Sequence, residues 1–219
     1  MKPKLLVATR NPGKQREIAT LLRDIPFDLV FLSETGIPER PEEETLEHAD
    51  SFEGNARRKA EYFSRLSGLA TVADDSGIEV FALGGAPGVK SRRFAMLTGP
   101  MAEQDEANNR ELLRRLAGLP EERRRARYRC VVAFQPRPDA PSYTFEGTCN
   151  GRILEQYRGT GGFGYDPLFF SDDLGMSFGE VPADAKHEVS HRGRAFRAFA
   201  EWLLRTQGGT VRDGTAEGD

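Results

Sequence analysis

The chain begins with a buried strand that leads directly into a helix. Residues 5–9 form an apolar run typical of a short strand, and Asn11, Pro12 and Gly13 then interrupt it. Apolar residues next recur at spacings of three and four, at Ile18, Leu21, Leu22 and Ile25. A strand, a tight loop and a helix in this order are typical of the start of an α/β fold.

The rest of the sequence continues this mixture of strands and helices. Further strands are predicted at residues 27–32, 70–73, 128–134, 143–149 and 168–170, the third and fourth forming a hairpin. Helices are predicted from Phe52, over 109–116 and over 195–203. The acidic residues 39–50 show no periodicity and predict a loop. We expect one mixed α/β domain over residues 1–206, with two lobes around a cleft, and a disordered polar tail at 207–219.

Composition narrows the class of protein. The chain has 31 Lys and Arg residues against 34 Asp and Glu, and this balance argues against a dedicated nucleic-acid binder with a basic surface. Two cysteines, Cys130 and Cys149, cannot build a disulfide framework or a four-cysteine zinc site. No apolar run is long enough to span a membrane or to form a signal peptide. We therefore expect a cytoplasmic protein with no membrane partner.

The loop between the first strand and the first helix has the composition of an anion site. Its residues are Thr9, Arg10, Asn11, Pro12, Gly13 and Lys14. The N-terminus of a helix favours anions, and Lys14 adds a mobile positive charge. The same spacing also fits a plain helix entry with an asparagine turn and a solvated lysine, so the loop alone leaves both interpretations open.

Two adjacent carboxylates, Asp74 and Asp75, follow the apolar residues 70–73 and precede Ser76 and Gly77. Paired carboxylates at the end of a buried strand are costly unless a cation or hydrogen bonds compensate them. They suit Mg2+, which prefers a few protein carboxylates together with phosphate oxygens and water. The alternative is an acidic turn chosen for its backbone conformation. The acidic run 42–44 could supply another ligand or be a solvated surface.

Three further segments resemble known functional motifs only in part. Residues 84–91 nearly match a phosphate loop of the Walker type, but Val89 stands where that motif needs glycine. Residues 159–164 satisfy G-x-G-x-x-G, yet no helix is predicted to follow, as a dinucleotide site requires. The glycines there could still let Phe163 approach a ligand closely. Ser190 is a candidate N-cap for the last helix, and no G-x-S-x-G elbow supports a serine hydrolase.

Taken together, these segments resemble the Ham1-like inosine triphosphate pyrophosphatase family in its bacterial dITP/XTP form. The resemblance covers residues 4–205, and its motifs are residues 7–14, 51–56, 73–77, 83–88, 161–167 and 190–193, with Glu17, Lys59 and Ala60. It implies Mg2+-dependent hydrolysis of ITP, dITP or XTP to the monophosphate and pyrophosphate, which removes deaminated purines from the nucleotide pool. It also implies an elongated mixed sheet with two lobes around a nucleotide-binding cleft, and a homodimer.

The resemblance also assigns roles to individual residues. Asp75 would be the general base and a metal ligand, assisted by Asp74 and by a glutamate of the acidic run, for which Glu43 is preferred over Glu44. The substrate-binding residues it implies are Thr9, Arg10, Asn11, Pro12, Gly13, Lys14, Lys59, Ser76, Phe163, Gly164, Tyr165, Asp166, Lys186, His191 and Arg192. Arg10 departs from the glycine that is frequent in the family, and the stretch between Glu44 and Phe52 looks about three residues longer than usual.

Two alternative functions remain compatible with the sequence. One is a nucleotide phosphatase of another specificity, which would release orthophosphate. The other is a non-catalytic module that binds nucleotides or nucleic acid through Arg123, Arg124, Arg125, Arg127 and Arg129. These arginines surround a predicted strand and are balanced by Glu121 and Glu122, which favours a solvated sheet face.

Overall fold

The computed structural model describes residues 2–208, with side chains described for residues 2–206. Residues 207 and 208 of the predicted disordered tail are helical, and residues 209–219 lie outside the described residues. The strands are β1 (Lys4–Val7), β2 (Asp28–Phe31), β3 (Ala70–Val80), β4 (Arg125–Gln135), β5 (Tyr143–Ile153), β6 (Phe169–Ser171) and β7 (Met176–Ser177). The α-helices are α1 (Pro12–Leu21), α2 (Phe52–Ser67), α3 (Met101–Arg115), α4 (Ala183–Val189) and α5 (His191–Gly208).

The strands form one mixed sheet in the order β2-β1-β3-β4-β5-β6-β7. β1 pairs in parallel with both β2 and β3, and α1 lies in the connection between β1 and β2. From β3 onward every pairing is antiparallel, and β4 and β5 form the predicted hairpin. The mixed α/β prediction is therefore confirmed.

The helices cover both faces of the sheet centre. Alternate residues of a strand point to opposite faces, and the core divides accordingly. Val72 packs with Ile18 of α1 and Phe196 of α5 on one face. Ala73 packs with Ala56 of α2 on the other face, and Ser51 caps that helix by accepting the Gly54 N–H at 3.1 Å. A third cluster joins α3 to the β4–β6 end of the sheet.

One prediction about the carboxylate pair is wrong. Residues 74–77 are not a turn after a strand, because β3 continues through them and pairs with residues 129–132 of β4. Aspartate and glycine disfavour strands, but tertiary contacts override that preference here. The acidic segment also has regular structure, a 3-10 helix over Pro41–Glu47, and α4 was not predicted. Within residues 2–208, no helix is both long and apolar enough to cross a membrane.

Candidate functional site

A cleft of about 860 Å3 brings most of the predicted site residues together. Those that line it are Thr9, Arg10, Asn11, Lys14, Glu43, Glu44, Lys59, Asp75, Ser76, Phe163, Gly164, Tyr165, Asp166, Lys186, His191 and Arg192. Pro12, Gly13 and Asp74 do not line it; Pro12 is exposed, whereas Gly13 and Asp74 are buried. The cleft therefore joins residues that are far apart in sequence into a single site.

The start of α1 forms one side of the cleft. Asn11 caps this helix, because its side-chain oxygen accepts the Lys14 N–H at 3.1 Å, and Thr9 Oγ1 accepts the Asn11 N–H at 3.2 Å. The cap fixes the loop between β1 and α1. A helix N-terminus carries partial positive charge, and the ammonium of Lys14 adds to it. This side of the cleft is therefore suited to an anion such as a phosphate chain.

Asp75 lies on the α2 side of β3, where two helix residues hold its carboxylate. Asn55 donates to Oδ2 at 2.9 Å, and Lys59 Nζ lies 3.3 Å from Oδ1. Lys59 also contacts Glu47 Oε1 at 3.0 Å. The attraction of Lys59 lowers the pKa of Glu47 to about 2 against the opposing effect of burial. Two carboxylates, both facing the cleft, thus share one buried ammonium.

Asp74 lies on the opposite face of β3, toward α1 and α5. Its Oδ2 is 2.9 Å from Lys14 Nζ and 3.4 Å from Arg192 Nε, and it accepts the Ser76 hydroxyl at 3.3 Å. Burial alone would raise the pKa of Asp74, but Lys14 and Arg192 hold it well below its usual value. The structure therefore does not bring Asp74 beside Asp75, and it places Asp74 as a charged anchor under the cleft wall.

Glu43 and Glu47, two of the four glutamates of the 3-10 helix, have different partners. The carboxylate of Glu43 accepts hydrogen bonds from Nε and Nη2 of Arg10, at 2.6 and 2.7 Å. The glutamate predicted to bind the metal is therefore paired with an arginine. Glu47, one turn further along, is the glutamate that reaches Lys59 and through it Asp75. Glu47 lies outside the acidic run 42–44 from which the metal ligand was predicted, and no sequence pattern distinguishes it from the other glutamates of this helix.

Next to α1, the residues around Phe163 form a network of buried charges. Lys186 Nζ contacts Glu17 Oε1 at 2.7 Å and Asp166 Oδ2 at 2.6 Å, and it lies 5.0 Å from the centre of the Phe163 ring. Arg192 Nη1 contacts Glu17 Oε2 at 2.5 Å. Burial would raise the pKa of Glu17, but Arg192 and Lys186 lower it to about 2. Glu17 was part of a motif without an assigned role, and it lies one helical turn after Lys14.

His191 completes this part of the cleft. Its imidazole stacks on Tyr128 with ring centres 4.4 Å apart and planes 6° apart. Burial, together with the charge of Arg192, lowers the pKa of His191 well below its usual value, so the ring is neutral near pH 7. The Tyr128 hydroxyl lies 3.4 Å from Asp166 Oδ1. A flat apolar ligand group next to Phe163 would therefore meet an ammonium, a guanidinium and a neutral imidazole.

The other sequence patterns do not form the kinds of site that they resemble. Arg124 is buried and donates to the backbone oxygens of Leu116, Ile153 and Leu154, while Arg125, Arg127 and Arg129 pair with acidic side chains. The arginine-rich segment is therefore not a free basic surface. No α-helix begins within residues 84–91, and a 3-10 turn and a strand follow residues 159–164, which confirms that neither is a nucleotide-binding motif of the Walker or dinucleotide type.

Comparison with known proteins identifies relatives of the whole domain. A model of the Ham1 family matches residues 5–202. The chain is 48% identical to the dITP/XTP pyrophosphatase of Geobacter sulfurreducens, over 91% of this chain and 96% of that protein. It is 45% identical to the protein of the same name from Methylococcus capsulatus, over 95% of this chain and all of that one. A solved HAM1 protein from Coxiella burnetii superposes with a TM-score of 0.80 at 30% identity, covering 93% of this chain and 99% of that chain.

Proposed function

The chain belongs to the Ham1 family, and we infer that it is a nucleoside triphosphate pyrophosphatase acting on non-canonical purine nucleoside triphosphates. The substrates are ITP, dITP and XTP, and the products are the monophosphate and pyrophosphate. One observation carries this proposal: a single cleft is lined by the carboxylates of Asp75 and Glu47, by the anion-binding start of α1 and by the group around Phe163. A nucleoside triphosphate has a phosphate chain that matches the start of α1 and a flat base that matches the group around Phe163.

The residues at the start of α1 bind the triphosphate. The N-terminus of α1 and the ammonium of Lys14 face the phosphates, and Lys59 and Ser76 contact them from the floor of the cleft. Lys14 and Lys59 are both anchored by aspartates, Asp74 and Asp75, so their positions are fixed before substrate arrives. Preorganised charges of this kind stabilise a transition state because they need little reorganisation during the reaction.

Asp75 is the proposed general base. A water molecule attacks the α-phosphorus, its proton passes to the Asp75 carboxylate, and the bond from that phosphorus to the bridging oxygen breaks to release pyrophosphate. Asn55 and Lys59 fix both oxygens of this carboxylate, so its orientation toward the cleft is set by α2. Lys59 stabilises the negative charge that develops on the leaving group.

The donor set fits Mg2+, which Asp75 and Glu47 would hold. Within residues 2–208, no cluster of three or more metal-ligating side chains is present. Two carboxylates with a phosphate chain and water are the ligands that Mg2+ prefers, so a small protein set suits this ion. When bound, Mg2+ would supply Lewis-acid polarisation of the phosphates and a lower pKa for the attacking water.

Base selection follows from hydrogen-bond donors beside Phe163. The ring stacks on the purine, and Lys186, His191 or Arg192 donates to the 6-keto oxygen of hypoxanthine and xanthine. Adenine carries an amino donor at that position, so ATP would leave buried donors unpaired at a cost of about 1–3 kcal/mol each. Gly164, Tyr165 and Asp166 shape this pocket from the same loop. We also propose that the enzyme acts in the cytoplasm as a homodimer.

A substrate panel tests this function. ITP, XTP, dITP, GTP, ATP and dUTP are each incubated with enzyme and Mg2+, and pyrophosphate and orthophosphate are measured separately. We expect rapid release of pyrophosphate from ITP, XTP and dITP and slow turnover of ATP. Orthophosphate as the direct product would indicate a phosphatase of another kind, and equal rates for ATP and ITP would refute the proposed role of the donors.

A further inference from the structure

Helix α3 contacts the loop that carries Phe163, although none of its residues was assigned to the site. The loop, residues 159–164, contains glycines with positive φ at Gly159, Gly162 and Gly164. Glycine loses more conformational freedom on ordering than other residues, so such a loop needs external contacts to hold one conformation. Asp166 supplies one of these contacts by accepting the Phe163 N–H at 2.9 Å.

The second set of contacts comes from two residues of α3. Asp105 Oδ2 accepts the Gly164 N–H at 3.0 Å, and Asn109 Nδ2 donates to the Gly164 carbonyl at 2.9 Å. Positions four apart lie on the same face of a helix, so Asp105 and Asn109 can bind the N–H and the carbonyl of Gly164 at the same time. Asn109 is buried, and Asp105 lines the cleft.

The contacts to Gly164 lie directly next to Phe163 in the chain. Phe163 precedes Gly164, and its ring packs so closely on Gly13 that a Cβ there would lie 2.8 Å from Phe163 Cδ1. The Phe163 ring is thus confined by Gly13 of α1. The backbone of the loop is held by Asp166 at Phe163 and by α3 at Gly164. A change at Gly164 would therefore be transmitted to the ring.

We propose that Asp105 and Asn109 are positioning residues for Phe163 and set the affinity of the cleft for the purine base. This inference rests on the proposed function, because it takes the flat ligand group to be a purine. Neither residue needs to contact the substrate. Their removal should weaken ligands that contain a base and spare ligands that consist of phosphates alone.

The variants Asp105→Ala and Asn109→Ala test the proposal, with Glu106→Ala as the matched control. Glu106 lies between them in sequence, is partly exposed, and contacts Tyr157 and Arg110 rather than Gly164. Hydrogen exchange of the peptide containing Gly164 reports the loop directly, without ligand. Dissociation constants for IMP and for inorganic tripolyphosphate separate the two parts of the cleft.

We expect faster exchange at Gly164 and about threefold to tenfold weaker IMP binding in both test variants, with unchanged tripolyphosphate binding and an unaffected control. Asp105→Asn keeps an acceptor for Gly164 and should recover most of the lost affinity. Unchanged exchange, unchanged IMP binding, or equal weakening of both ligands would overturn the proposal. Failure of the wild-type protein to release pyrophosphate from ITP would instead contradict the proposed function, and the exchange measurement would still report on the loop contacts.

Discussion

Asp74 and Asp75 are adjacent in sequence, yet their carboxylates lie on opposite faces of the central sheet. Asp75 contacts Asn55 and Lys59 of α2, whereas Asp74 contacts Lys14 of α1 and Arg192 of α5. The period of two along a strand requires this separation. The pair therefore cannot act as one two-carboxylate site, and the two residues should respond differently to the same substitution.

Asp75→Asn should remove turnover and keep the fold. The substitution preserves shape, and Lys59 retains Glu47 as a partner for its charge. We expect kcat for pyrophosphate release from ITP to fall by about 100-fold to 10,000-fold, as is typical when a general base is lost. Thermal denaturation serves as the control for folding. Near-normal kcat in a folded variant would refute the role of Asp75.

Asp74→Asn should act mainly on stability. Asp74 is fully buried between Lys14 and Arg192, and removing one member of a buried ion pair leaves the other charges uncompensated. We expect a loss on the order of 3 kcal/mol in the free energy of unfolding, measured by urea denaturation at pH 7. A variant as stable as the wild type would show that this carboxylate is not an anchor.

The variants Glu47→Gln and Glu43→Gln distinguish the two candidate metal ligands. Glu47 shares Lys59 with Asp75, whereas Glu43 is held by Arg10. We expect Glu47→Gln to raise the Mg2+ concentration that gives half of the maximal rate by roughly tenfold or more. Replacing a residue that only supports a metal ligand typically weakens metal binding by about this factor, and replacing a ligand itself should weaken it at least as much. Titration of the rate with Mg2+ at saturating ITP measures this value. A larger increase in this Mg2+ concentration for Glu43→Gln would indicate that Glu43 is the metal ligand.

Phe163→Ala should weaken substrate binding. Stacking of a base on an aromatic ring contributes about 1–3 kcal/mol, which corresponds to a roughly fivefold to 100-fold increase in KM for ITP. Phe81→Ala is a suitable control, because Phe81 is exposed at the end of β3 and does not line the cleft. Unchanged KM and kcat in Phe163→Ala would exclude stacking.

Acid should destabilise the protein partly through Glu17. Arg192 and Lys186 lower its pKa in the folded protein from 4.5 to about 2, so the folded state binds fewer protons than the unfolded state in this range. The stabilisation is complete above about pH 4.5 and is lost as the pH falls toward 2. In Glu17→Gln, the free energy of unfolding should be lower at pH 7 and should fall less steeply between pH 4.5 and 2. An unaltered slope would contradict this assignment.

Much of the fold follows from local patterns. The β1–α1 start, α2, the β4–β5 hairpin and α5 all have the periodicity that the structure confirms. The continuation of β3 through residues 74–77 could not be predicted, because Asp, Ser and Gly favour turns and only the surrounding cations make a strand tolerable there. The seven-residue helix α4 is too short to show a clear period.

The site was predicted less completely than the fold. Motifs identified many of the residues that line the cleft, because these belong to short segments with their own chemistry. Glu47 was missed, because the sequence alone does not specify which glutamate of the 3-10 helix reaches Lys59. Asp105 and Asn109 were missed for a different reason: their partners are backbone groups of a distant loop, and sequence carries no pattern for such contacts.

The buried charges connect the two parts of the cleft without a break. Lys14 contacts Asp74, Asp74 contacts Arg192, and Arg192 contacts Glu17, which in turn contacts Lys186. The side chains proposed to bind the phosphates and those proposed to bind the base therefore belong to one connected network. A route to altered base preference, in the laboratory or in evolution, must change several of these charges together, because a single replacement at Lys186 or Arg192 also disturbs the hold on the phosphates.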